Sequence, residues 1–108
     1  MGLETNEVYR IAMAGGLEVR LRVQTYDTGA LSISTAPYKD ESGEVEALAA
    51  IDILRDYLTA EEIPHRALES RRGDAYVVDA LIIQEAAAVR GPEFYLEVIR
   101  RIGSFAVS

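Results

Sequence analysis

The first third of the chain alternates between apolar and polar residues, which is the pattern of β-strands that bury one face. The alternation is clearest over Leu17–Val23, where apolar residues occupy every second position and charged residues lie between them. Shorter runs of the same kind cover Tyr9–Met13 and Leu31–Ser34. Three such runs in succession predict a three-stranded antiparallel meander.

Two short segments that contain glycine separate these predicted strands. Gly15-Gly16 lies between the first two runs, and a glycine pair suits a tight hairpin because both residues reach positive φ without a steric penalty. Asp27-Thr28-Gly29 lies between the second and third runs, where an aspartate can cap its own turn and a glycine can supply a left-handed residue. We therefore predict a hairpin at each segment.

The segment Asp27-Thr28-Gly29-Ala30 has a second interpretation, because it resembles the catalytic element of retroviral-type aspartic proteases. That resemblance would make Asp27 a catalytic carboxylate of a homodimeric enzyme. The family also carries a glycine-rich flap and a late element of two apolar residues followed by glycine. Neither Val89-Arg90-Gly91 nor Arg101-Ile102-Gly103 matches the late element. Because so short a motif needs support from its fold context, we interpret Asp27 as a turn residue.

After residue 43 the apolar positions follow the period of an α-helix. Over Glu44–Thr59 most apolar residues gather on one side and the charged residues on the other, while Val45 and Leu48 add apolar surface to the polar side. Glu93–Val107 is the most regular amphipathic segment. It follows Gly91-Pro92, and proline is suited to the first position of a helix. Both segments predict helices.

The segment Ala75–Arg90 is apolar at twelve of its sixteen positions, and two structures fit it. A helix that is apolar on all sides would be buried on all sides, by its own domain or by a partner. Alternatively, the β-branched residues within Tyr76–Ile83 favour a strand, with Arg71–Asp74 as a hairpin turn. We favour the helix. The prediction is a single α+β domain over residues 1–108, with an N-terminal three-stranded antiparallel β-meander followed by three helices packed on one face.

The charges are distributed unevenly along the chain, whose net charge is −7. Residues 1–62 carry 12 acidic and 5 basic side chains, whereas residues 63–108 carry 6 of each. A negatively charged protein repels phosphate backbones, so we do not expect it to bind nucleic acid. The acidic stretch over residues 40–62 would suit a basic partner protein, and a solvated helix face explains it as well.

The composition also bears on the compartment. The chain has no cysteine, which excludes a disulfide framework and thiolate metal sites. No run approaches the ~20 apolar residues that a membrane span requires, and the N-terminal residues do not resemble a signal peptide. We therefore expect a cytoplasmic protein that does not associate with membranes and that uses no cofactor or metal.

The segment Glu61–Asp74 is the most distinctive chemically, because it holds the only histidine and three arginines. Histidine exchanges protons near neutral pH, and the guanidinium fork suits carboxylates and phosphates. Asp79 lies in the most apolar segment, where a buried carboxylate must find a partner or shift its pKa. The candidate ligand-binding residues are therefore His65, Arg66, Arg71, Arg72 and Asp79.

The chain shows no nucleophile with an adjacent base, no phosphate-binding glycine loop and no zinc signature, so we identify no catalytic residue. The surplus of apolar surface favours a binding or regulatory module that acts through protein–protein contact, as a homodimer. The predicted interface residues are Tyr76, Val77, Leu81, Ile82, Val45 and Leu48. The alternative is a small enzyme or ligand-binding protein with a cleft between sheet and helices, which would use His65, Asp79 and nearby arginines.

Overall fold

A computed structural model describes residues 2–12, 18–35, 41–84 and 90–107. Within these ranges the elements are, in chain order, β1 (Leu3–Ala12), β2 (Glu18–Tyr26), β3 (Leu31–Thr35), α1 (Glu41–Ala60), β4 (His65–Arg72), β5 (Ala75–Ile83) and α2 (Pro92–Val107). The strands form one five-stranded sheet in the order β1-β2-β3-β5-β4, and all neighbouring pairs are antiparallel. The fold belongs to the α+β class.

The N-terminal meander is confirmed, and the apolar alternation accounts for its register. β2 pairs with β1 on one side and with β3 on the other, so that Val23 lies opposite Ile33. Val19, Leu21 and Val23 are at most 1% exposed, because every second residue of β2 points toward the helices. The predicted turn at Gly15-Gly16 lies outside the described residues.

The segment that begins at Asp27 forms a hydrogen-bonded turn, as predicted. The Gly29 N–H donates to the Tyr26 carbonyl at 2.9 Å, and the Tyr26 N–H donates to the Ala30 carbonyl at 3.0 Å. Gly29 adopts a φ of 87°, the left-handed conformation that glycine reaches without a penalty. Asp27 is exposed, and its N–H donates to the Gly2 carbonyl at 2.8 Å. Chain reversal between β2 and β3 therefore explains the Asp-Thr-Gly tripeptide.

The prediction of a helix over Ala75–Arg90 is wrong for residues Ala75–Ile83, which form strand β5. This strand pairs with β3 on one side and β4 on the other. The β-branched residues of this segment favour a strand, and periodicity alone does not separate a short apolar run of this kind from a buried helix. The sheet consequently has two more strands than the predicted meander, and the described residues contain two helices where three were predicted. Residues 85–89 lie outside the described part of the chain.

The hairpin turn that accompanies the strand interpretation is present. β4 ends at Arg72 and β5 begins at Ala75, so Gly73 and Asp74 form a two-residue connection. Gly73 has a φ of 63°, and a positive φ at the first turn position matches a type II′ turn. Glycine is the residue that this position favours.

Replacing Gly73 by alanine is expected to lower the free energy of unfolding by about 1 kcal/mol, because alanine is strained in the left-handed region. A Cβ atom at this position would meet no atom within 4 Å, so the cost is conformational and not steric. Urea denaturation of Gly73→Ala and Gly73→Asn measures it. Asparagine tolerates the left-handed region and should lose less stability than alanine. Equal losses in the two variants would contradict this explanation.

Both helices pack against the same face of the sheet and close one core. Helix α1 begins at Glu41, three residues before the predicted start, and packs on β2, β3 and β5. Helix α2 confirms the predicted C-terminal helix, with Pro92 at its first position, and packs on α1 and along β1. Neither helix, as described, combines the length and apolarity needed to cross a bilayer. The fully buried large side chains include Leu21, Ile33, Ile51, Leu54, Leu58, Leu81, Ile83, Tyr95 and Ile99.

Candidate functional site

All five candidate ligand-binding residues lie on the hairpin formed by β4 and β5. His65, Arg66, Arg71 and Arg72 belong to β4, and Asp79 belongs to β5. β4 is the last strand of the sheet, so among the described residues it has a neighbouring strand on one side only. His65 and Arg72 stand at the two ends of β4, roughly 23 Å apart at about 3.3 Å per residue. The structure therefore spreads these residues along an edge of the sheet and does not gather them around one point.

His65 is half-buried at the beginning of β4. Its Nδ1 lies 2.8 Å from the Ile63 carbonyl oxygen. A carbonyl can only accept a hydrogen bond, so this contact places the proton of a neutral ring on Nδ1 and leaves Nε2 as an acceptor. In the described part of the chain, no group of three or more His, Cys, Asp or Glu residues is arranged to hold a metal ion. The ring is thus oriented by its own backbone at the sheet edge.

Asp79 is the extra residue of a β-bulge. Leu68 pairs with Ala80, and the next residue, Glu69, pairs with Val78, so Asp79 falls between two successive paired positions. A bulge shifts the alternation of the strand that carries it. This shift lets Val78 pack against the same core as Leu81, although the two are three residues apart. Because the extra residue belongs to β5, β4 itself remains regular along its outer side.

The part of the hairpin beyond the helices exposes apolar side chains on both strands. Tyr76 is 68% exposed and Leu68 is 38% exposed, and Ala67 and Ala75 are exposed as well. Neither helix packs extensively on β4, which explains why Ala67 stays exposed although strand alternation turns it toward the helix side. These side chains lie on the two faces of the hairpin, and we call the apolar surface that Ala67, Leu68, Ala75, Tyr76 and the half-buried Val77 form there the edge-hairpin surface.

The six predicted interface residues have different environments. Tyr76 and Val45 are exposed, at 68% and 63%, whereas Val77, Ile82 and Leu48 are half-buried. Leu81 is completely buried within the single chain, because the alternation of β5 turns it toward the helices, opposite Ile33 of β3. Leu68, which is exposed on the same hairpin, is not among the predicted interface residues, because residues 65–72 lack the apolar alternation of a half-buried strand.

The opposite edge of the sheet, β1, also exposes apolar side chains but differs in its backbone. Leu3 and Val8 are each 50% exposed. The register of β1 with β2 shifts between Leu3 and Thr5, so the irregularity lies near one end of this edge strand. Bulges at sheet edges hinder pairing with further strands. Helix α2 also packs along β1. Among the described residues, β4 is therefore the more open of the two edges.

A cleft of about 260 Å³ lies between β1 and α2, away from the five candidate ligand-binding residues. Its lining includes Tyr9, and burial together with a hydrogen bond and the negative charge of Glu7 raises the pKa of that phenol. Glu97, also in the lining, accepts hydrogen bonds from Arg100 and Arg101, which hold the pKa of its carboxyl below the usual range. The charged groups at this cleft are thus largely paired with one another. Its volume falls just below the range of roughly 300–1,000 Å³ common for small-molecule sites.

The acidic stretch identified in the sequence lies mainly on helix α1. Asp52, Asp56, Glu61 and Glu62 are exposed, and Arg55 is exposed among them. A basic partner protein for this surface stays a prediction, and a solvated helix face is the simpler explanation.

The chain matched no protein-family model, no curated protein and no solved structure in three comparisons. The architecture by itself does not identify an activity, because one fold supports many functions. The edge-hairpin surface is the feature of the described residues that departs most from an ordinary protein surface, since it joins exposed apolar side chains to an edge strand.

Proposed function

We propose that the protein is a cytoplasmic binding or regulatory module without enzymatic activity, and that it acts as a homodimer whose subunits associate through β4. The edge-hairpin surface carries this proposal. Unpaired N–H and C=O groups of an edge strand are a template for pairing with another strand. The exposed side chains of Leu68 and Tyr76 add apolar surface that association would bury.

The distribution of charge along β4 supports pairing between two copies. In a dimer with a two-fold axis perpendicular to the sheet, opposite residues must point to the same face. We call the residue beside the two-fold axis the centre of the contact. A centre at Ser70 places Glu69 opposite Arg71 of the partner subunit, and the symmetry produces this pair of opposite charges twice. A centre at Glu69 would place two carboxylates opposite each other, which is unfavourable. A centre at Ala67 would pair Glu69 with His65 of the partner subunit, so no arginine would lie opposite that carboxylate.

The Ser70-centred arrangement produces one continuous sheet across the dimer. Backbone hydrogen bonds between the two β4 strands would provide most of its affinity, as in other cases of strand addition. Each exposed Glu69–Arg71 pair contributes about 0.2–1 kcal/mol, so the charges select the register and contribute less to the affinity.

Sedimentation equilibrium at micromolar concentration tests the proposal. The chain mass is 11.9 kDa, and we expect a mass of two chains. Leu68→Lys should favour the monomer and raise the dissociation constant of the dimer at least about tenfold, because it places a charge at the contact between the two β4 strands. The matched control is Val8→Lys. Val8 and Leu68 lie at opposite ends of one cross-strand row that runs through Arg22, Ser34 and Ala80.

We expect Val8→Lys to leave the dimer intact, since Val8 is on β1. A monomeric wild-type protein at these concentrations would contradict the proposal. Dissociation by Val8→Lys with a stable dimer in Leu68→Lys would place the interface at the other edge. Circular dichroism of both variants checks that each is folded.

A further inference from the structure

The cleft between β1 and α2 has an edge of the sheet as one of its walls. Residues 9–12 of β1 line it without interruption, and α2 forms the opposite wall. Successive residues of a strand point to opposite faces, so a wall made of four consecutive residues includes the backbone edge of the strand. Within the described part of the chain, β1 pairs with β2 only. The cleft therefore follows an edge whose outward N–H and C=O groups can pair with another strand.

The part of β1 at the cleft is regular. The register of β1 with β2 shifts between Leu3 and Thr5, whereas residues 5–12 pair with β2 without a further shift. An extended segment can add to a regular edge through backbone hydrogen bonds, and pockets beside the edge then select its side chains. Because the irregular end of β1 lies outside the cleft, it does not obstruct such a segment there.

The size and lining of the cleft suit one apolar side chain better than a whole small molecule. Its volume of about 260 Å³ is below the range that is common for small-molecule sites. Ile11 and Leu96 belong to the core and also lie in the lining, so apolar atoms form part of the cleft surface. A strand added to β1 would direct every second side chain toward the helices. The side chain opposite Ile11 would then enter the cleft.

The charges near Tyr9 indicate that a basic residue should accompany this apolar side chain. Glu7 points to the same face of β1 as Tyr9 and accepts a hydrogen bond from its hydroxyl. Burial and this hydrogen bond raise the pKa of the Tyr9 phenol, and the negative charges of Glu7 and Glu93 raise it further. Both carboxylates therefore lie near the same hydroxyl. A lysine or arginine opposite Tyr9 would meet them, two positions from the residue opposite Ile11.

The other charged side chains that line the cleft are compensated by opposite charges within the protein. Arg10 points to the other face of β1 and approaches Glu18 at 3.9 Å. Glu97 accepts hydrogen bonds from Arg100 and Arg101 on α2. The end of the cleft near Tyr9 is consequently the part with a surplus of negative charge. The net charge of −7 also favours the approach of a basic segment.

We propose that the cleft binds an extended segment of a partner protein, which adds to β1 as a further strand. One apolar side chain of this segment enters the cleft beside Leu96, and a basic side chain two positions away meets Glu7 and Glu93. This inference goes beyond the homodimer and does not depend on it, because the proposed subunit contact belongs to β4, at the opposite edge of the sheet.

Fluorescence anisotropy with the full chain tests the site. The probe is the labelled peptide Lys-Thr-Lys-Thr-Leu-Thr-Lys-Thr-Lys, which reads the same in both directions and places its leucine and lysines on one face of a strand. Glu7→Gln combined with Glu93→Gln should weaken binding about fivefold or more, because both carboxylates at the cleft are lost. The matched control combines Asp52→Asn and Asp56→Asn on the exposed side of α1. It removes the same charge away from the cleft and should change the affinity less than about twofold at ~0.15 M salt.

A second peptide, with threonine in place of leucine, keeps the charge of the probe and should bind about tenfold more weakly, because no apolar side chain enters the cleft. Equal losses in the two double variants, or equal affinity for the two peptides, would overturn the proposal. It would also fail if the wild-type protein did not bind the probe, or if a peptide with glutamate in place of lysine bound more tightly. Sedimentation of Glu7→Gln/Glu93→Gln separates this outcome from that of the dimer, because the double variant should keep the association state of the wild-type protein.

Discussion

Leu81→Ala is expected to lower the free energy of unfolding by about 2–5 kcal/mol, whereas Tyr76→Ala on the same strand should lower it by less than about 1 kcal/mol. Leu81 has no exposed surface and lies opposite Ile33 beneath the helices, so its truncation leaves a cavity. Tyr76 is 68% exposed, and its truncation leaves none. A loss of this size is a large share of the 5–15 kcal/mol that is typical of a domain.

Urea denaturation followed by circular dichroism measures both effects. Because association stabilises the folded state, the measurement is made at several protein concentrations. The free energy of unfolding lost in Leu81→Ala should be the same at all protein concentrations. The loss in Tyr76→Ala should grow with protein concentration if Tyr76 is buried on association. Similar small losses in the two variants would contradict the strand assignment of β5, since that assignment is what buries one residue and exposes the other.

Tyr95→Ala is expected to cost about 3–5 kcal/mol, and Tyr95→Phe much less. The ring of Tyr95 is fully buried and packs edge-to-face on Phe94, with centroids 5.2 Å apart. Phe94 in turn contacts Tyr57 of α1, with centroids 6.4 Å apart. This chain of rings joins α2 to α1, so removal of its buried member should loosen both helices. An alanine variant as stable as the phenylalanine variant would show that the ring contacts contribute little.

The hydroxyl of Tyr95 provides a separate prediction about pH. Burial raises the pKa of this phenol above its ordinary value of 10.0, and the nearby charge of Arg90 offsets part of that effect. The neutral form is therefore favoured in the folded protein. Its contribution to stability is complete below about pH 10 and is lost as the pH rises through the folded-state pKa. The stability of the wild-type protein relative to Tyr95→Phe should fall above pH 10, and a constant difference across that range would contradict this.

The sequence predicted the strands and helices that bury only one face. Leu17–Val23 alternates because β2 has the helices on one side and no described helix on the other, and Glu93–Val107 is amphipathic because one side of α2 faces the core. The segment that forms β5 was predicted as a helix for a specific reason. Its bulge at Asp79 makes Val78 and Leu81 face the same core at a spacing of three residues, which interrupts the alternation that marks a strand.

β4 was not predicted as a strand because its sequence lacks apolar alternation. The helices do not cover this edge strand, so its sequence contains almost none of the apolar alternation that marks a half-buried strand. The candidate ligand-binding residues in the segment 61–74 were selected by the chemistry of their side chains. Nothing local indicates that they lie along an extended edge, because that follows from pairing with β5.

Cross-linking through a single introduced cysteine tests the proposed dimer most directly, because the chain contains no cysteine of its own. Ser70 pairs with itself at the centre of the proposed contact, where opposite Cα atoms are about 4.5–5.5 Å apart, within the range that a disulfide spans. Mild oxidation of Ser70→Cys should give a covalent dimer on a non-reducing gel, and Asn6→Cys on the exposed β1 edge should not. Absence of a cross-link at position 70, or equal cross-linking at position 6, would contradict association through β4.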